Sequence, residues 1–272
     1  MLKIKDLTVN VWENTILKNI DITFEQGKNY CILGRNGSGK SSLAMSIIWH
    51  PSYTIEDGQI TLEITQEELD NLPSKTQQKI EDKIIANTNK NIHIDILKCD
   101  PDTRSKLGIF VAFQNIPEIK GVKLFEFLRQ IYNEKFDKNE SFLSFKKLLE
   151  PLLQQLQIDK EFLWRDLNVW FSGGEKRKIE ILQMKLLEPK YIFLDEIDSG
   201  LDIDALRSAT TLLHQHDSNK NALIFITHYF DILDNLDIDK TRIIKKWSVI
   251  KSWWKEIIEE IKKWWYEDNN NQ

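Results

Sequence analysis

The sequence predicts an α/β fold with a mainly parallel sheet built around a phosphate-binding loop. Three observations carry this. The stretch Gly34-Arg35-Asn36-Gly37-Ser38-Gly39-Lys40-Ser41 fits the pattern G-x-x-x-x-G-K-[ST]. The apolar run Tyr30-Cys31-Ile32-Leu33 enters it as a buried strand, and Ser42 to Ile48 leaves it as a helix. Further on, short apolar runs alternate with helical spacing, as crossover connections between parallel strands require.

Taken in order, Met1 to Val11 alternates apolar and polar residues, as a half-buried strand does. Ile20 to Phe24 repeats the pattern, and Glu25-Gln26-Gly27-Lys28 turns the chain into the loop strand. Gly58 to Ile64 and Ile92 to Ile96 alternate again. Between them, residues 66–91 are polar, and Thr65-Gln66-Glu67-Glu68 has the form of a capping box. Residues 62–96 therefore read as a hairpin-like extension with a charged helical excursion. Leu107 to Phe113 is a buried strand ending at Gln114. From 122 to 165 the apolar spacing is helical, with Leu124, Phe127, Leu128 and Ile131, then Phe145, Leu149 and Leu153. Tyr191 to Leu194 and Ala222 to Ile226 are buried strands. The chain thus divides into a core over 1–121 and 166–250, a helical subdomain over 122–165, and a C-terminal helix and tail over 251–272.

Composition excludes several classes. Hydrophobic residues are 41% and charged residues 29%, the balance of a globular chain. A net charge of −5 gives no basic field for nucleic acid. No apolar run approaches the roughly 18 residues that span a bilayer, and no signal-peptide core opens the chain. The expectation is a protein without direct membrane insertion, in the cytoplasm or an organelle stroma. Two cysteines, Cys31 and Cys99, supply neither a disulfide framework nor the ligands of an iron–sulfur cluster.

The loop's chemistry follows from its residues. Gly34, Gly37 and Gly39 let consecutive N–H groups of a loop that also holds Asn36 and Ser38 curl around a phosphate. Lys40 reaches the β- and γ-phosphates, Ser41 is placed to ligate Mg²⁺, and Ser42 keeps a second hydroxyl where threonine is commoner. Asp195-Glu196 puts two carboxylates at the end of a buried strand. Gln114 and His228 each follow another such strand, and Phe171-Ser172-Gly173-Gly174-Glu175 opens a helix.

In this order the motifs resemble those of an ATP-binding-cassette (ABC) ATPase. Gln114 stands for the Q-loop glutamine, Ser172-Gly173-Gly174 for the signature, and Asp195 with Glu196 for the Walker B carboxylates. Ser199-Gly200-Leu201-Asp202 stands for the D-loop and His228 for the switch histidine. The resemblance implies a RecA-like, mainly parallel sheet with an antiparallel β-subdomain and a helical subdomain. It implies ATP and Mg²⁺, with Ser41, Gln114 and Asp195 on the metal side. Glu196 polarises the attacking water, Gln114 senses the metal and the water, and His228 contacts the γ-phosphate. Ser172, Gly173 and Gly174 meet the nucleotide held by a second chain, so a transient homodimer sandwiches two ATP molecules.

Longer stretches resemble the SufC family of the SUF iron–sulfur assembly system. They are Ala112 to Val122, Ser172 to Met184, and Asp195 to Leu206. The resemblance covers nearly the whole chain except 62–92 and the tail, so 62–92 is expected to be an insertion. Transporter ATPases usually carry proline and threonine after the Walker B glutamate, where this chain has Ile197 and Asp198. The resemblance implies SufB-like and SufD-like scaffold partners, docking near residues 114–135, and iron–sulfur assembly as the process. It also suggests that Lys176 pairs with a carboxylate on the Walker B side. The rival readings are the ATPase subunit of an ABC membrane transporter and a non-catalytic nucleotide-binding regulator. Intact Lys40, Asp195, Glu196 and His228 oppose the second.

Nine tryptophans are many for 272 residues, while ten glycines are about half the usual share. Trp170 precedes Phe171-Ser172-Gly173-Gly174 where SufC-like chains read Asn-Val-Gly-Phe-Ser-Gly-Gly. Trp247 to Trp253 resembles a Gly-x-Ile-Val-x-Ser-Gly hairpin, and Trp264-Trp265-Tyr266 a Gly-Tyr ending. Two readings stand beside each other. Either the rings serve a tryptophan-rich core, an adenine stack at Trp12 and a membrane-touching helix on Trp254, Ile257, Ile258, Ile261 and Trp265, or some of these positions are UGA codons that the source organism reads as glycine. Thirty lysines against seven arginines point to an AT-rich genome, where such reassignment is plausible.

Overall fold

The computed structural model describes residues 1–88, 91–196, 221–228 and 236–254. The chain opens with β1 (Leu2–Val11), β2 (Asn14–Phe24) and β3 (Asn29–Leu33), and then α1 (Lys40–Ile47). β4 (Thr54–Thr65), α2 (Gln66–Asp70), α3 (Ser74–Ile80), β5 (Ile84–Asn87) and β6 (Asn91–Asp95) follow. Next come α4 (Pro101–Lys106), β7 (Ile109–Ala112), β8 (Ile119–Lys123), α5 (Leu124–Phe136), α6 (Phe142–Gln155) and β9 (Asp166–Leu167). The chain continues with α7 (Gly173–Leu187), β10 (Tyr191–Asp195), β11 (Ala222–Thr227), β12 (Lys240–Lys245) and β13 (Ser248–Trp254).

Two sheets form the body. One is antiparallel, in the order β2-β1-β4-β6-β5. The other runs β13-β12-β3-β11-β10-β7, and every pair in it is parallel except the β12–β13 hairpin. β3 is buried along its whole length, as are β10 and β11, because a parallel sheet is covered on both faces. Leu2, Ile4, Ile22, Phe24, Tyr30, Ile32 and Phe193 share one core cluster with α1 residues Leu43 and Ile47. The opposite face, with Cys31, Leu33, Ile192 and Leu194, packs against Leu124, Phe125, Leu128, Phe145 and Leu182 of the helical layer.

The extension over 62–96 has the expected hairpin-like form. β4 and β6 pair antiparallel, and the excursion between them carries α2, α3 and β5, which adds an edge strand. Thr65 and Glu68 make the expected capping box reciprocally: the Glu68 N–H donates to Thr65 Oγ1, and the Thr65 N–H donates to Glu68 Oε2. Buried Ile80 anchors the excursion in the core beside the sheet. At the neck of the helical layer, β8 and β9 form a two-stranded ladder, so the helical run begins at Leu124, not at 122.

One boundary is corrected. The expected C-terminal helix from 251 does not begin there. Residues 248–254 form β13, which pairs antiparallel with β12, because the turn at Lys246-Trp247 folds the chain straight back. Residues 255–272, including Ile257, Ile258, Ile261 and Trp264-Trp265, lie outside the described residues. Among the described residues no helix is long and apolar enough to cross a membrane.

Candidate functional site

The loop between β3 and α1 is shaped by crowding. A Cβ on Gly34 would lie 2.4 Å from Ser38 Oγ and 2.5 Å from the Ile244 carbonyl. One on Gly39 would lie 2.6 Å from the Ile16 carbonyl, and Gly39 also has φ 102°. Only glycine fits either place. Gly39 is the N-cap of α1 and makes no side-chain cap bond, so the first N–H groups of α1 are left for an anion. The Ser38 hydroxyl is buried with no hydrogen-bond partner. A buried unpaired hydroxyl is costly, and a phosphate oxygen in the loop would satisfy it.

Lys40 is buried and donates from Nζ to the Gly34 carbonyl at 2.8 Å and the Arg35 carbonyl at 3.1 Å. Ser41 Oγ donates to Asp195 Oδ1 at 2.9 Å. Burial at the end of β10 pushes the Asp195 carboxyl up to about 6. Neighbouring Glu196 adds to the rise, while the Ser41 hydrogen bond and Lys40 oppose it. The Ser41 hydroxyl and Asp195 carboxylate suit Mg²⁺, which takes hard oxygen ligands, usually one or two carboxylates with substrate phosphates. Among the described residues no group of three or more His, Cys, Asp and Glu is placed to hold a metal ion.

Three of the expected residues converge on one carboxylate. Glu196 sits at φ 49° just past β10, and its N–H donates to the Ile226 carbonyl at 2.9 Å. Gln114 Nε2 donates to Glu196 Oε2. His228 Nδ1 lies 3.2 Å from Glu196 Oε1. Gln114 thus contacts the glutamate and not the Ser41–Asp195 pair to which the metal role assigned it. Parallel pairing of β10 with β7 and β11 explains the convergence, since all three strands end on the same edge of the sheet.

Ser172 is the N-cap of α7. Its Oγ accepts from the Glu175 N–H at 3.3 Å, and its own N–H donates to Glu175 Oε2 at 2.7 Å. The Ser172 N–H, and after it the Ser172 hydroxyl, hold the Glu175 carboxyl below its ordinary range. A Cβ on Gly173 or Gly174 would meet nothing within 4 Å. Both glycines therefore open onto solvent, as a surface for a second chain does. The D-loop residues Ser199 to Asp202 lie outside the described residues.

Two features differ from the sequence reading. Lys176 pairs with Glu118 at 2.8 Å, not with a Walker B-side carboxylate, because β8 brings Glu118 alongside the start of α7. The sequence reading also missed the ion pair of Arg177 and Glu180, both buried in α7 with N···O 2.6 Å. Arg177 Nη1 donates to the Phe113 carbonyl at 2.8 Å and Nη2 to that of Gln114 at 3.3 Å. Glu180 Oε1 accepts from the Phe113 N–H at 3.2 Å. Burial pushes the Glu180 carboxyl up and Arg177 opposes the rise. This pair clamps the backbone carrying Gln114. Its one sequence signal was a cation and an anion three apart on a helix rich in buried residues.

A family model described as ABC transporter matches residues 17–199. The chain is 37% identical to the probable ATP-dependent transporter ycf16 of Antithamnion sp., over 98% of this chain and 96% of that one. It is 36% identical to a probable ATP-dependent transporter of Synechocystis, covering 98% and 94%. It is 33% identical to vegetative protein 296 of Bacillus subtilis, covering 96% and 89%. In fold it resembles a dimeric bacterial ABC transporter cassette, at 18% identity and TM-score 0.68, covering 94% of this chain and 99% of that one. A post-hydrolysis dimer of the same cassette bound to ADP and Pi gives TM-score 0.69 at the same identity and coverage.

Proposed function

The chain belongs to the ABC transporter family of ATPases, and on that premise we propose that it is the SufC-type motor of an iron–sulfur assembly machine. In this reading it hydrolyses Mg·ATP as a transient homodimer, and the stroke moves SufB-like and SufD-like scaffold partners that carry the cluster ligands. The observation that carries the hydrolytic part is the grouping of Gln114 and His228 on the Glu196 carboxylate beside the Ser41–Asp195 pair.

Phosphoryl transfer needs little besides positioning and charge stabilisation. The loop N–H groups and Lys40 bind the phosphates. Ser41 and Asp195 would hold Mg²⁺, which when bound neutralises charge on the β- and γ-oxygens. Glu196 orients and polarises the attacking water, Gln114 and His228 aim that carboxylate, and His228 then reaches the γ-phosphate. Ser172, Gly173 and Gly174 complete the facing chain's site, with the α7 N-terminus offering N–H groups to its γ-phosphate.

The iron–sulfur part is supported by the Q-loop and signature stretches and by Ile197-Asp198 after the Walker B glutamate. The exposed ladder strand β8, with Ile119 and Val122 turned outward next to Gln114, suits a partner surface. The name of the algal relative favours a second reading, an ATPase subunit of a membrane transporter. Affinity purification of the tagged chain from source cells separates them. Scaffold proteins with cluster-ligating cysteines support the first reading, and a multi-span permease supports the second.

A further inference from the structure

Tryptophan supplies four of the 12 non-glycine residues with left-handed φ among the described residues: Trp12 at 56°, Trp49 at 63°, Trp170 at 61° and Trp247 at 68°. All of the other eight are polar or charged, with two asparagines and two aspartates among them, the types that tolerate this region. A bulky L-residue does not belong there, because its Cβ meets the following carbonyl. Four such placements among the seven tryptophans of the described residues call for one cause.

Each of the four stands where a separate turn rule asks for glycine. Trp12 and Glu13 form the two-residue loop between paired Val11 and Asn14, with φ positive at the first position only. That is the type II′ pattern, which takes glycine first. Trp49 follows the C-cap of α1. Its N–H donates to the Ser46 carbonyl at 3.2 Å, and the His50 N–H donates to that of Met45 at 2.9 Å. Those are the two bonds of a Schellman motif, with Trp49 at the glycine position. Val169 and Trp170 are the centre of a turn closed by the Phe171 N–H on the Asn168 carbonyl at 3.4 Å, with φ positive at the second residue. That is type II, which takes glycine there. Lys246 and Trp247 join paired Lys245 and Ser248, both with φ positive, the type I′ hairpin with glycine second.

The rings gain little from these places. Trp12 is 89% exposed, Trp170 83%, Trp49 48% and Trp247 47%. Trp49 lies over Arg104 at 5.3 Å. That guanidinium is already held by the Cys99 carbonyl at 2.9 Å and the Ile47 carbonyl at 2.7 Å. Trp164 is the internal contrast. It is absent from the left-handed set, and its ring stacks on Phe125 at 5.4 Å and Phe142 at 5.8 Å.

We propose that the source organism's ribosomes place glycine at positions 12, 49, 170 and 247, reading UGA there as a glycine codon, while Trp164 is tryptophan. UGA differs from the glycine codon GGA in its first base alone, so one anticodon change in a glycine tRNA suffices. Glycine at these four raises the glycine total from ten towards the usual share. It also removes the ring at Trp12 from any stack with adenine.

The test has two arms. Peptides of the native protein, isolated from source cells, are sequenced by mass spectrometry and set beside the codons. Glycine at 12, 49, 170 and 247 on UGA codons, with tryptophan at 164 on UGG, is the expected result. Tryptophan in the native peptides at the four positions overturns the proposal, as does UGG at all of them. In the second arm, the recombinant chain with all nine tryptophans is compared with W12G/W49G/W170G/W247G and with W164G. The quadruple variant is expected to unfold at higher urea and W164G at lower urea than the parent. A quadruple variant with a lower midpoint than the parent means that the rings are structural and overturns the proposal.

Discussion

Asp195→Asn should make the nucleotide-free protein more stable and the enzyme inactive. The Asp195 carboxyl is almost wholly buried, and its pKa rises from 3.8 to about 6 on folding. The sign follows from proton counting. Between those values the folded state holds a proton that the unfolded state has lost, so stability falls as pH rises through the window. Above it, the penalty is about 3 kcal/mol, at about 1.4 kcal/mol for each pKa unit. Asparagine keeps an oxygen to accept the Ser41 hydroxyl, now at 2.9 Å, and carries no charge to bury. The variant should therefore gain about 2–3 kcal/mol at pH 8 and almost nothing at pH 4. Urea unfolding at both pH values, with EDTA and no nucleotide, measures the difference. Adding Mg·ATP should reverse the order, because ligand stabilises the wild type by mass action and the variant lacks a metal ligand. A variant no more stable than wild type at pH 8 would refute the argument that this carboxylate is held at a cost for metal binding.

Glu196→Gln should keep ATP binding, lose at least about 100-fold in turnover, as removal of a positioned general base does, and accumulate a dimer visible by size exclusion with ATP. Undiminished turnover removes Glu196 from that role. The open surface over Gly173 and Gly174 predicts that specific activity of the isolated chain rises with protein concentration, and a flat dependence down to high dilution counts against a shared site. Arg177→Met leaves Glu180 buried without its partner and should cost about 3–5 kcal/mol, read by urea unfolding at pH 7. Arg177→Met with Glu180→Leu should recover much of that stability and yet stay slow, since nothing then clamps Phe113 and Gln114; full activity in the double variant would show that the clamp is dispensable.

The parts of this molecule visible in its sequence are those set by local rules. The phosphate loop is dictated by glycines whose Cβ atoms would collide. The parallel strands are short apolar runs, and the Thr65–Glu68 capping box is a four-residue signal that the structure forms as read. What stayed hidden depends on approach between distant segments. Lys176 has a long stem that reaches either of several carboxylates, and only the position of β8 selects Glu118, 58 residues away. The Arg177–Glu180 clamp looks like an ordinary solvated helix pair until the Phe113-Gln114 backbone is laid over it. The hairpin over 247–253 is legible by resemblance, and β13 forms it with β12; only the helix expected from 251 gives way, because the antiparallel ladder continues to Trp254.

The same locality explains how the site would take up a phosphate and a divalent ion. Lys40 donates its ammonium to the Gly34 and Arg35 carbonyls, and Ser41 its hydroxyl to Asp195. Neither charge is left bare in a buried place, which would cost several kcal/mol. Both arrangements are exchangeable. A phosphate gives the ammonium a charged partner in place of two neutral carbonyls, and charge-assisted bonds are roughly twice as strong. Ser41 and Asp195 would hold a divalent ion, whose charge would favour the ionised form of the Asp195 carboxyl. Ser38 Oγ is buried and unpaired, and a phosphate oxygen in the loop would satisfy it. Binding would then proceed by exchange of partners among groups already grouped at the loop.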